Sequence, residues 1–346
     1  MLFWYLLVLA VTLVNVRVCK NGFFPDYMDK MQSNAIKGLF IMLVFLGHAL
    51  ISVRDCGFSF DHWIDDAAKR IYSELGQLVV AIFLFYSGYG VMRSFLTKGD
   101  DYLASYPKRR LLTTLLNFDV AVCFFILLWV FLGKPLNFSR VLLSFIGWEE
   151  MGNSNWYIFI ILCCYLLFYM VFRLAHTRHL LGSMLITTML FMGMLALHSV
   201  KQSNWYNTIL VFPAGIFYAL YLKPLERFIQ KRYWFSIVFL LTVLLLLHFG
   251  HFRLLHGLTF NLKAIIFAML LVSLSMKVRI CNKWLVWCGV SLFPLYIYQR
   301  LPMNAIRGWI GDDWVSSNPN LYIGICFAVT VGIAFLYNKF IRIQFK

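Results

Sequence analysis

Apolar positions along this chain fall in long, nearly unbroken runs, not in the alternating or three-to-four spacing of half-buried elements. About 20 apolar residues cross the hydrocarbon core of a bilayer, and fewer suffice where flanking residues snorkel. Eleven runs meet that requirement, at roughly 2–16, 36–53, 75–96, 111–132, 155–174, 180–198, 205–222, 233–250, 260–276, 284–300 and 321–341. A span in lipid must satisfy its own backbone polar groups, so each run is predicted to be a helix. The expected fold is an all-α polytopic transmembrane bundle of about eleven spans. No period of 20 to 50 residues suggests a repeat architecture. The run at 2–16 has the length of a signal-peptide core. However, no basic residue precedes it, and Arg17 and Lys20 follow it, which favours an uncleaved anchor. The chain is therefore expected to divide into an amino-terminal anchor helix at 1–20 and a ten-helix membrane domain at 28–346.

Composition agrees, with 61% hydrophobic, 18% aromatic and only 13% charged residues and a mean hydropathy of +0.75. These values lie outside the range of soluble domains. A formal charge of +16 would point to nucleic acid in a soluble protein, but here the basic residues lie between apolar runs and read as topology signals. No nucleic-acid partner is expected. Assigning alternate loops to opposite sides puts 21 of the 31 basic residues in one set and leaves 10 in the other, together with most of the acids. By the positive-inside rule the first set is cytoplasmic, which places the amino terminus outside and the carboxyl terminus inside a bacterial cytoplasmic membrane. The eight cysteines show no paired CxxC spacing and read as small apolar packing residues. His248 and His251 have i, i+3 spacing but no evident third ligand, so no metal is expected.

Polar residues inside the apolar runs are the candidates for chemistry. In IKGLFIMLVFLGHAL, Lys37 and His48 are 11 residues apart, which leaves them about 20° from the same helical line and about 16 Å apart along the axis. Lys37 alone reads as readily as a snorkelling topology marker. A mid-span histidine more often faces a cavity than lipid, and Gly47 beside it allows close approach. SGYGVMRS, Ser87 to Ser94, offers Gly88 and Gly90 for tight helix packing and ends with Arg93 near the basic face. YPKRRLL brings Lys108, Arg109 and Arg110 to the start of the next span, where they can gather anionic phosphates or act only as a topology signal. Asp119, nine residues beyond Arg110, is the one acid placed inside a span. It is expected to pair with a base such as Arg93 or to line a polar path. There is no GxSxG elbow, phosphate loop or HExxH motif.

These residues resemble a known family. MDKMQSNAIKGLFIMLVFLGHAL is similar to the first conserved helix of the integral-membrane acyltransferase family 3, whose signature is a basic residue, ten intervening positions and a histidine. The family typically has arginine where this chain has Lys37, and KG followed by an apolar run and GH is at home in its bacterial polysaccharide O-acetyltransferase branch. FLFYSGYGVMRS, YPKRRLLTTLL, NWYIFIILCCYLLFY and SLFPLYIYQRLPM follow in the family's order, so the resemblance covers roughly 28–341. It implies His48 as the residue serving acyl transfer, and Lys37, Arg109 and Arg110 as aids to the acyl-CoA donor. Apart from the resemblance, the residues' own chemistry gives Arg93 a part in binding the phosphates and Asp119 one in orienting or charge-balancing the site. The family often carries a second arginine three residues after the first, where this chain has Thr113. Some relatives end the penultimate helix in a histidine, where this chain has Gln299.

Two function classes follow. The preferred one is an O-acyltransferase that moves an acetyl group from acetyl-CoA to a hydroxyl of a cell-surface polysaccharide or lipid-linked glycan precursor, with His48 as general base. The competing class is a transporter or exporter of a glycan or acyl compound, which intramembrane His, Asp and basic residues also suit. Transporters often show internally related halves, and none is visible here.

Overall fold

The computed structural model describes residues 1–250 and 256–345. In chain order the helices are α1 (Leu2–Leu13), α2 (Lys30–Asp55), α3 (Trp63–Leu75), α4 (Leu78–Lys98), α5 (Asp100–Tyr106), α6 (Thr113–Phe131), α7 (Phe138–Phe145), α8 (Trp156–Ala175) and α9 (His179–Val200). They continue as α10 (Val211–Leu220), α11 (Leu222–Lys231), α12 (Tyr233–Phe249), α13 (His256–Ser275), α14 (Lys283–Val290), α15 (Leu292–Tyr298), α16 (Arg300–Ile310), α17 (Asp312–Ser317) and α18 (Pro319–Leu336). The all-α class expected from the apolar runs is what the structure has.

Among the described residues, seven helical stretches are long and apolar enough to cross a membrane: Lys30–Asp55, Trp63–Lys98, Asp100–Phe131, Trp156–Ala175, His179–Val200, Gly257–Ser275 and Pro319–Ile341. An eighth arises if Leu222–Lys231 and Tyr233–Phe249, bent by 100°, count as one span. The expected count of eleven therefore does not follow from helix length. The runs at 2–16 and 205–222 yield only the short α1 and α10, and the run at 284–300 breaks into α14 and α15. That break has a local cause, because Pro294 has no N–H to offer the carbonyl of Val290, the last residue of α14.

A small antiparallel ribbon pairs Val16–Val18 with Val278–Ile280, in the register Val16↔Ile280. Its segments VRV and VRI alternate β-branched and charged residues, a strand pattern too short to stand out between apolar runs. Arg279 reaches from the ribbon to Asp26 and to Asp29, the latter at 3.0 Å. Asp29 also caps α2 by accepting a hydrogen bond from the Gln32 N–H at 2.6 Å. These contacts fix where the helix of Lys37 and His48 begins. At its other end Arg307 donates to Asp312 at 3.0 and 3.2 Å, and the Cys56 thiol donates to the same carboxylate at 3.2 Å. The Arg307 guanidinium holds the Asp312 carboxyl below the usual carboxylate range, so this tie is fully present at neutral pH and weakens as pH falls through that lowered value.

α2 is the most enclosed of the spans, while α9 and α12 turn Met184, Met192, Phe235, Phe239 and Leu246 outward, as a lipid-facing surface requires. Two helix pairs pack backbone to backbone. A Cβ at Gly38 would collide with the Leu285 carbonyl and one at Gly289 with the Asn34 carbonyl, so α2 and α14 interlock through reciprocal glycines. Gly88 meets the Phe212 carbonyl and Gly215 the Phe85 carbonyl in the same way, joining α4 to α10. Small residues permit this approach where lipid supplies little hydrophobic drive between helices.

Candidate active site

Two cavities enter the bundle from opposite ends and approach each other across an aromatic layer beside His48 of α2. The first, about 290 Å³, opens at the end that carries Arg109, Arg110 and Arg342. Its mouth is shaped by Pro107–Leu112, where the chain widens into an i→i+5 turn. Such wide turns recur at functional sites. Thr113 Oγ1 donates to the Lys108 carbonyl at 2.8 Å, the same oxygen that accepts the Thr113 backbone N–H across the wide turn. Buried Asn117 clamps the opposite wall. Its Nδ2 donates to the Ile343 carbonyl at 2.9 Å, and its Oδ1 accepts from the Ile343 N–H at 3.0 Å and from the Tyr337 hydroxyl. This ties the segment after α18 to α6 and brings Arg342 and Asn338 to the cavity. Arg109 is exposed at the mouth, whereas Arg110 is half-buried among the phenols of Tyr102, Tyr106 and Tyr165. A pair of guanidiniums beside amide and hydroxyl groups suits a phosphate-bearing ligand.

The second cavity, about 330 Å³, opens at the other end and is lined by His48 and Gly47 of α2, Tyr72 of α3, Ser154, Trp156 and Arg300. His48 Nε2 lies 3.4 Å from Ser154 Oγ on this wall. Gly47 gives room to a side chain from α3, since a Cβ there would stand 2.9 Å from the Tyr72 ring. A third cleft continues outward from this cavity and shares Glu150, Trp156, Gln202 and Asn204 with it. It is bounded by Trp148 and Trp205, whose rings hold the Lys201 ammonium at 4.2 and 4.6 Å from their centroids. Aromatic surfaces flanked by carboxamides and carboxylates suit the apolar faces and hydroxyls of a sugar.

One aromatic layer separates the two cavities. Tyr296 lines the first cavity, and its ring lies 6.5 Å from the His48 ring and 5.2 Å from that of Tyr157. A group at the inner end of the first cavity is therefore one side chain away from the imidazole.

The residues read from the sequence separate into those the cavities gather and those they do not. Arg109 and Arg110 line the first cavity, and His48 lines the second. Lys37 is half-buried within electrostatic reach of Arg110 but is not among the lining residues. Arg93 is exposed beside Tyr89 and outside both cavities. Asp119 also lies outside both, with one carboxylate oxygen buried and unpartnered. On α6 it stands about 200° round from Asn117, so it faces away from the wall formed by Arg110, Thr113, Thr114 and Asn117. Asn117, Arg342, Ser154, Gln299 and Arg300 were not singled out as site residues. Asn117 had a readable signal, a carboxamide within TTLLNFDVAV, the same stretch that drew attention to Asp119.

His248, considered from sequence as a metal ligand, instead contacts Glu74 and Lys263, each at 2.6 Å, and its i+3 neighbour His251 lies outside the described residues. Among the described residues no group of three or more His, Cys, Asp and Glu side chains is placed to hold a metal.

The family model described as an acyltransferase domain, that of acyltransferase family 3, matches residues 32–339. The chain belongs to acyltransferase family 3. No curated protein and no solved structure gives a significant match to it. The match runs from two residues inside α2 to the wide turn after α18 and so takes in the walls of both cavities apart from Arg342 and Tyr5. As a family 3 acyltransferase with multiple membrane-length helices, the protein is a multi-pass membrane acyltransferase, and of the two function classes weighed from sequence, group transfer is the one that stands.

Proposed function

We propose that the protein is an O-acetyltransferase of a bacterial cytoplasmic membrane, with acetyl-CoA entering the arginine-lined cavity from the cytoplasm. The acceptor, a hydroxyl of a cell-surface polysaccharide or lipid-linked glycan precursor, occupies the cavity of His48 at the outer face. The observation that carries this reading is the meeting of two cavities of different chemistry at a single aromatic layer beside His48. Arg109, Arg110 and Arg342 suit the phosphates of coenzyme A, while Trp156, Asn204 and Gln202 suit a sugar. The positive-inside orientation, with the amino terminus outside and the carboxyl terminus in the cytoplasm, is consistent with this arrangement.

The chemistry follows from the groups present. His48 accepts the proton of the sugar hydroxyl as its oxygen attacks the thioester carbonyl carbon. The tetrahedral intermediate collapses with cleavage of the C–S bond. The acetyl ester remains on the sugar, and the coenzyme A thiolate takes up the proton as it leaves. The aromatic layer must part for the thioester to reach the imidazole, and its side chains then limit the access of water.

Membrane vesicles of defined sidedness, supplied with labelled acetyl-CoA, test the proposal. Label is expected in the glycan only when acetyl-CoA reaches the face bearing Arg109 and Arg110. Absence of labelled glycan from either side would overturn the reading. Replacing Arg109 or Arg110 by alanine removes a charge-assisted hydrogen bond worth about 1.5–3 kcal/mol, so the KM for acetyl-CoA should rise roughly 10-fold or more. Arg93→Ala, outside the cavity, should leave KM within about 2-fold, as expected for an exposed charge of small energetic effect.

A further inference from the structure

The two ring nitrogens of His48 meet different surroundings. Nε2 faces the second cavity and Ser154 Oγ. Nδ1 is buried and has no hydrogen-bond partner. Beside the imidazole lies Gln299, fully buried, whose carboxamide oxygen is likewise without a partner. The orientation of that carboxamide is fixed, because its Nε2 donates to the Tyr296 carbonyl at 2.8 Å. The amide nitrogen is thus committed to the backbone and the oxygen remains for the imidazole.

A neutral imidazole carries one N–H, and its position decides which nitrogen can act as a base. With the hydrogen on Nε2, two acceptors, Nδ1 and Gln299 Oε1, meet in a desolvated place. Each unsatisfied buried group then costs about 1–3 kcal/mol. With the hydrogen on Nδ1, a small side-chain adjustment forms Nδ1–H···Oε1, and the Nε2 lone pair faces the cavity. We infer that Gln299 is a positioning residue that holds His48 in its Nδ1–H tautomer, making Nε2 the nitrogen that takes the acceptor's proton. A carboxamide cannot ionise, so it selects the tautomer without adding charge to the membrane interior. This is the orienting part that a carboxylate plays in Ser-His-Asp sites. The role of Nε2 rests on the acyl-transfer reading above, whereas the tautomer does not.

The test begins with nitrogen-15 spectra of histidine-labelled protein in lipid nanodiscs, the His48 signal being identified by its loss in His48→Gln. A protonated Nδ1 and bare Nε2 are expected in the wild type, with a shift toward Nε2–H in Gln299→Leu. In vesicle assays with labelled acetyl-CoA, Gln299→Leu should lower kcat roughly 10–100-fold, the usual effect of removing an orienting partner, with the KM for acetyl-CoA unchanged. Gln299→Glu, which keeps an acceptor oxygen at the position, should recover part of that loss. A wild-type His48 protonated on Nε2, or a folded Gln299→Leu protein with unaltered tautomer and kcat, would overturn the inference. The expected tautomer in a wild-type protein that transfers no acetyl group would sustain the Gln299 contact and overturn the functional reading instead.

Discussion

Replacing His48 by alanine should reduce acetyl transfer by 10²–10⁴-fold, the usual contribution of a positioned general base, while binding of acetyl-CoA stays near the wild-type level. The asymmetry arises because His48 lines the cavity opposite to the one holding Arg109 and Arg110, with Tyr296 between them. Losing the imidazole therefore removes an interaction made only as the proton moves and leaves the donor contacts intact. His48→Gln should be equally impaired, because glutamine approximates the shape and hydrogen-bonding capacity of the imidazole but has no basic nitrogen. The measurement is the initial rate of labelled ester formation in vesicles, paired with equilibrium binding of acetyl-CoA to the purified protein. Equal rates in the wild type and both variants would exclude His48 as the base. A fall in rate matched by a fall in binding would mean that the variants had lost their fold.

Part of this site was legible because polar side chains are conspicuous in apolar runs. His48, Arg109 and Arg110 all drew attention on that ground, and the structure puts them on the walls of two adjoining cavities. Asp119 drew attention for the same reason, yet it projects from the opposite side of α6 to Asn117. In a helix that is apolar all round, no polar face shows which direction is inward. The ten residues between Lys37 and His48 were also informative, since they set the two on one line, but they could not show that the lysine stays outside the first cavity. Arg342 and Ser154 were invisible as site residues because each enters through a neighbour distant in sequence, Arg342 through the Asn117 clamp and Ser154 through His48. Gln299 is aimed by the nearby Tyr296 carbonyl, but that it lies beside His48 is set by the packing of α15 against α2. Helix class was readable from run length, whereas the number of full-length spans was not. Local breaks such as the one at Pro294 turn a continuous apolar run into two short helices.

A large effect on folding is expected at Gly88, although it carries no charge. Gly88 and Gly90 belong to the same SGYG segment and read alike in sequence, yet their surroundings differ completely. A Cβ at Gly88 would be driven into the Phe212 carbonyl of α10, while one at Gly90 meets nothing within 4 Å. The Phe212 oxygen is backbone and has no rotamer by which to yield, so Gly88→Ala must push α4 from α10 along an interface that Gly215 closes reciprocally against Phe85. Overpacking of this kind costs about 1–3 kcal/mol and occasionally more, and the rigid partner puts Gly88→Ala at about 3 kcal/mol. Gly90→Ala should instead be neutral or stabilising by up to about 1 kcal/mol, because alanine is the better helix former. Unfolding midpoints of the purified variants in detergent measure the contrast. α4 also carries Phe83 and Ser87 into the first cavity, so displacement of the helix should raise the KM for acetyl-CoA in whatever Gly88→Ala protein remains folded. Equal midpoints for the two alanine variants would mean that α4 and α10 do not pack through Gly88, and the wall of the first cavity would then have to be drawn differently.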